Sequence, residues 1–165
     1  MALKSHVIRD ALLDLAKNPP RNAVDSARRY AAMYGRYATD ARTVLGNAPA
    51  SLTAAEATLA AALIPVFTGF GRPSQLVAQQ MAQAFTAFWL LPPVVTAGSF
   101  PGLVTAVAGT AALGPAMVAA WAANVASKAT NQQAAQRMAD ALHAFTLTVV
   151  VTEATAPTPT VGPIV

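Results

Sequence analysis

Residues 73–127 read PSQLVAQQMAQAFTAFWLLPPVVTAGSFPGLVTAVAGTAALGPAMVAAWAANVAS, a tract without one charged side chain. Ser74 is a side-chain cap for a helix from Gln75 to about Leu91 that carries Leu76, Val77, Ala84, Phe85, Phe88 and Trp89. Pro92-Pro93 ends it, because proline removes a donor and excludes the preceding residue from helix. Val94 to Pro101 reads as a loop or short extended piece. Leu103 to Ala126 is apolar throughout and is broken by Gly109, Gly114 and Pro115, which predicts two short helices. The tract's coverage, by protein or by lipid, decides what kind of molecule this is.

Upstream, the chain is ordinary. Leu3, Val7, Ile8, Ala11, Leu12 and Leu15 recur at three- and four-residue spacing, an apolar stripe on a helix over about 3–17 with Lys4, Arg9, Asp10 and Asp14 opposite. Asn18-Pro19-Pro20 stops that helix, and Asn22 caps the next, which is predicted to run to about Leu45 with Gly46 as its left-handed terminator. Asp25 with Arg29 and Arg36 with Asp40 are i,i+4 pairs on its outer face. Tyr30, Tyr34 and Tyr37 form a row that reads as a half-buried packing seam whose hydroxyls reach water. Thr53 and Glu56 fit a capping box for a helix that Pro65 interrupts.

Downstream, Thr130 and Gln133 form a second capping box, for a helix through Met138 and Leu142 to about Ala144. The period then changes. Phe145, Leu147, Val149 and Val151 alternate with Thr146, Thr148, Val150 and Thr152, which is strand spacing. ATAPTPTVGPIV (residues 154–165) is an extended arm, which lies on a neighbouring subunit or folds back on its own domain. The expected fold class is therefore mainly α: a domain of five to six helices over 1–144 (charged amphipathic helices to 72, uncharged ones over 73–127), followed by a strand and Thr/Pro arm over 145–165.

About a quarter of the 165 residues are alanine, and charged residues make up 11%. That fraction is well below the usual roughly 25%. The net charge of +4 lies in the N-terminal part, where Asp10, Asp14, Asp25 and Asp40 are interleaved among the bases. Interleaving describes a solvated face rather than the clustered basic stripe that nucleic acid needs. With no cysteine, disulfides and thiolate metal sites are excluded. His6 and His143 lack i,i+3 or i,i+4 metal-ligating partners, and seven dispersed acids provide no paired-carboxylate spacing. GFGRP (69–73) lacks the Lys-Ser/Thr of a phosphate loop, and AGSFPG (97–102) is not a nucleophile elbow. No enzymatic activity, cofactor, metal or small-molecule substrate is expected.

Leu103–Ala126 meets the length of a bilayer-spanning helix, and Leu76–Val95 approaches it. That pattern resembles small phage holins, and the resemblance implies a membrane-inserted oligomeric pore-former in a bacterial inner membrane. Gln79, Gln80 and Gln83 in one candidate span, and Gly114-Pro115 within the other, oppose it. A third reading is a nucleic-acid-binding module using Arg28, Arg29, Arg36 and the tyrosines. The favoured reading is a homo-oligomer in which the uncharged tract is covered by protein. Its expected contact residues are Phe85, Phe88, Trp89 and Trp121 in the tract, Val149 and Val151 in the strand, and Val161, Pro163, Ile164 and Val165 in the arm.

A small alanine-rich, uncharged helical body with a Thr/Pro arm ending VGPIV resembles small structural proteins of tailed-phage virions. The resemblance implies a virion component assembled in the host cytoplasm, with copies of itself and other particle proteins as partners.

Overall fold

The computed structural model describes residues 3–49, 51–69, 71–90, 102–153 and 159–165. Six helices and three strands lie among them: α1 (Ser5–Lys17), α2 (Ala23–Ala38), α3 (Thr53–Thr68), α4 (Ser74–Leu90), β1 (Gly102–Val107), α5 (Thr110–Ala126), α6 (Asn131–Thr146), β2 (Val149–Glu153) and β3 (Thr160–Pro163). The fold is mainly helical with a C-terminal strand, as the sequence predicts, and that strand is the centre of a small antiparallel sheet.

Each helix packs on its chain neighbours, and α6 returns to α1, so the six form a closed ring whose loosest seam is α1 against α2. Tyr34 lies fully buried in the core. Phe85, Phe88 and Trp89 meet its ring edge-on at centroid distances of 4.7, 5.0 and 6.3 Å. The sheet runs in the order β1-β2-β3. Leu103, Thr152 and Val161 are aligned across it, and a bulge between Val104 and Ala106 shifts the β1 register.

Some helix signals act as read. Asn22 accepts from the Asp25 N–H, and the Thr130–Gln133 capping box is complete. Others are overridden by tertiary partners. Thr53 does not cap α3; Leu52 is the residue before it, with no side-chain bond. The Glu56 carboxylate instead lies against α2 at Gly35, where a Cβ would overlap Oε1. Helix α2 stops at Ala38, not Leu45, because the next residues take long-range partners: Arg42 exchanges backbone bonds with Val165, and Thr43 reaches Glu153. The Arg36–Asp40 pair is consequently absent among the described residues, while Asp25–Arg29 forms at 3.1 Å.

The run read as two short helices over 103–126 is one strand and one helix. A continuous apolar segment does not reveal its period, and pairing with β2 decides that Leu103–Val107 is extended. Gly114 and Pro115 lie inside α5, with Gly114 over the backbone of Ala78 and Gln79. Pro65 likewise sits inside α3 without ending it. Phe145 and Thr146 extend α6 rather than starting the strand, which begins at Val149.

Candidate assembly surface

Helices α3 and α5 have no polar face. α5 buries Leu113, Gly114, Met117 and Ala120 against the ring, and leaves Ala112, Pro115, Ala116, Ala119, Ala123 and Val125 exposed. Val125 is 80% exposed. The outer side of α3 carries Ala54, Ala57, Ala61 and Pro65. A surface helix ordinarily opposes its apolar stripe with charged residues, and a helix apolar all round is one that is covered on several sides. Alanine at such a surface lets a second backbone approach closely.

The core residues behind this surface are held by a buried polar chain. The Trp89 indole N–H donates to the Tyr34 hydroxyl at 2.8 Å. Thr146 donates its one proton to the Leu142 carbonyl at 2.8 Å, so the 2.7 Å bond between Tyr34 and Thr146 has Tyr34 as donor. Tyr37 bonds His143 Nδ1 at 2.6 Å. Burial pushes the Tyr34 and Tyr37 hydroxyls well above the usual phenol range. These hydroxyls do not reach water as the sequence suggested, and both rings are closed to base stacking. Tyr30 is half-buried against Phe67 at 5.2 Å.

The C-terminal strand is latched to its own domain. Ile164 donates to the Val149 carbonyl at 3.0 Å and is buried. Val165 and Arg42 exchange bonds at 2.9 and 3.1 Å. By alternation Val161, Pro163 and Val165 turn their backbone groups away from β2. Pro163 has no N–H to offer there and Val165 is occupied by Arg42, so the outer edge of β3 is a poor template for a further strand. Below the sheet, Thr43 Oγ1 and the Asn47 amide donate to Glu153 Oε1 at 2.8 and 2.7 Å. Glu153 is only 1% exposed, and its Oε2 has no hydrogen-bond partner among the described residues.

The residues expected at a partner contact divide in two. Phe85, Phe88, Trp89, Val149, Val151 and Ile164 belong to the subunit's own core. Their bulk fills the ring and the inner sheet face, where apolar volume is needed first. Val161 (61% exposed), Val165 (47%) and Pro163 lie on the surface, with Trp121 half-buried on α5. Sequence reasoning missed Leu103 (62% exposed), which stands across Thr152 from Val161. Strand alternation from Val149 would have found Leu103, had β1 been recognised.

Among the described residues no group of three His, Asp or Glu side chains could hold a metal ion. No helix among them is long and apolar enough to cross a membrane. Leu103–Ala126 is divided by the strand and turn, and the segment 91–101, which includes the end of the Leu76–Val95 candidate, lies outside the described residues. No family model, no curated protein and no solved structure matches the chain.

Proposed function

We propose that the chain is a non-enzymatic structural subunit that assembles with copies of itself, as a component of a tailed-phage or phage-like particle. One observation carries this reading: the exposed faces of α3 and α5 are built of alanine, proline and valine with no charge. Burying such a face gains about 25 cal/mol per Å². Small side chains also lose little conformational entropy on being covered. The outward face of the arm, with Val161, Pro163 and Val165, adds a second apolar area beside Leu103.

The test is oligomer mass by light scattering, on the wild type and on Ala119→Glu with Ala123→Glu. Both positions are exposed, so circular dichroism should stay unchanged. Assembly of the wild type and its loss in the variant support the reading. A wild type that stays monomeric as concentration rises, or a variant that assembles normally, overturns it.

A further inference from the structure

A groove of about 600 Å³ opens along the seam between α1 and α2, the least closely packed joint of the ring. Its floor is apolar, with Val7, Ala11 and Leu15 from α1 and Met33 from α2. Its walls carry opposite charges. His6, Asp10 and Asp14, four residues apart, line the α1 side. Arg29 and Arg36, two turns apart, line the α2 side. Asp10 pairs with Arg9 at 2.7 Å, and Arg29 with Asp25 at 3.1 Å. Arg36 is exposed, and its guanidinium makes no hydrogen bond or ion pair among the described residues.

We propose that this groove is the seat of a two-fold contact with a second copy of the chain, which rests on the homo-oligomer reading and adds a second contact to the α3 and α5 faces. Charge complementarity selects the occupant. A nucleic-acid backbone would satisfy the arginines but meet Asp10 and Asp14, and a peptide of one sign fits only one wall. A second copy supplies both signs. In an isologous interface the patch meets itself, and a two-fold axis running along the groove lays each acidic wall on the other copy's basic wall. An axis across the groove would set like charge on like. Beyond the end of α1, Arg29 donates to the Asn18 carbonyl at 2.9 Å. That bond holds Arg29 at the C-terminal end of α1, where Asp14 is the nearer along the chain of the two acids that line the groove. The axis along the groove consequently brings the two acids of one copy against the two arginines of the other, twice over.

The test uses full-length chains carrying Asp10→Arg or Arg36→Glu. Alone, each variant should dimerise at least about tenfold more weakly than wild type, because like charges meet twice. Mixed, they should form heterodimers, since the arginine introduced in one chain faces the glutamate introduced in the other while the second half of the contact keeps its native pair. Wild-type dimers should weaken between about 0.05 M and about 0.5 M salt. Unchanged circular dichroism and recovery in the mixture separate a lost contact from a lost fold. Assembly that neither substitution nor salt alters, but that the α5 variant abolishes, overturns this interface and leaves the assembly reading standing. A monomeric wild type overturns both.

Discussion

The Trp89 indole N–H ends on the Tyr34 hydroxyl, 2.8 Å away in a core closed to water, and Tyr34 passes the bond on to Thr146. One hydroxyl thus satisfies a donor from α4 and an acceptor from α6 while standing on α2. Tyr34→Phe keeps the ring packing and removes only the oxygen. It leaves the Trp89 N–H buried without an acceptor, which costs about 1–3 kcal/mol. The expected result is a lower urea midpoint with an unchanged slope. Coupling with Thr146→Val in a double-mutant cycle should exceed about 0.5 kcal/mol, because the two share one bond. Additive losses would show that the hydroxyl's role does not pass through Thr146.

Glu153 behaves differently, because its bonds are unevenly shared. Among the described residues Oε1 takes two donors and Oε2 takes none, although the side chain is buried. Glu153→Gln retains an acceptor for Thr43 and Asn47 and removes an uncompensated charge, so stability should stay within about 1 kcal/mol of wild type or rise. Thr43→Val loses more. Its hydroxyl also accepts from the Leu45 and Asn47 N–H groups, and the loop below the sheet depends on it. A loss of about 1–3 kcal/mol is expected in chemical denaturation. If Glu153→Gln proves the more damaging of the two, the negative charge itself is needed.

Local signals were readable where nothing distant competed for the side chain. Asn22 and the Thr130–Gln133 box bond only within their own first turns, and both act as the residues suggest. Thr53–Glu56 has the same pattern, yet Gly35 draws Glu56 across to another helix. No local rule contains that contact. Phe85, Phe88 and Trp89 signalled a strong apolar surface, but the surface proved to be the inside of a helix ring whose closure depends on α6 meeting α1. The charges around α1 and α2 read as a solvated face because their signs alternate along the chain. Where they line the groove, the acids come from α1 and the arginines from α2.

Glu56 also imposes a pH dependence. Desolvation against α2 raises its carboxyl above the ordinary value of 4.5. A carboxyl raised in the folded state favours folding when protonated, so its contribution is complete below the unfolded value and is lost as pH rises through the folded one. Glu56→Gln should therefore be more stable than wild type at neutral pH, with the difference vanishing in acid. Thermal unfolding of both proteins from about pH 4 to about pH 7 measures this. A gap that is constant across the range would show that the carboxyl is not desolvated in the folded protein.

The C-terminal strand has two faces with separable consequences. Ile164 is buried and its backbone bonds Val149, while Val161 and Val165 point their side chains outward. Ile164→Ala should cost about 2–5 kcal/mol, the range for truncating a buried isoleucine, and removing Ile164 and Val165 together should cost more by deleting the paired bonds to Arg42. Val161→Thr with Val165→Thr should leave monomer stability within about 0.5 kcal/mol, because neither side chain fills the core. The same pair should reduce oligomer mass if the outward face meets a neighbour. Chemical denaturation reads the first effect and light scattering the second. An arm that served only a partner would reverse the pattern, with Ile164→Ala harmless to the isolated subunit.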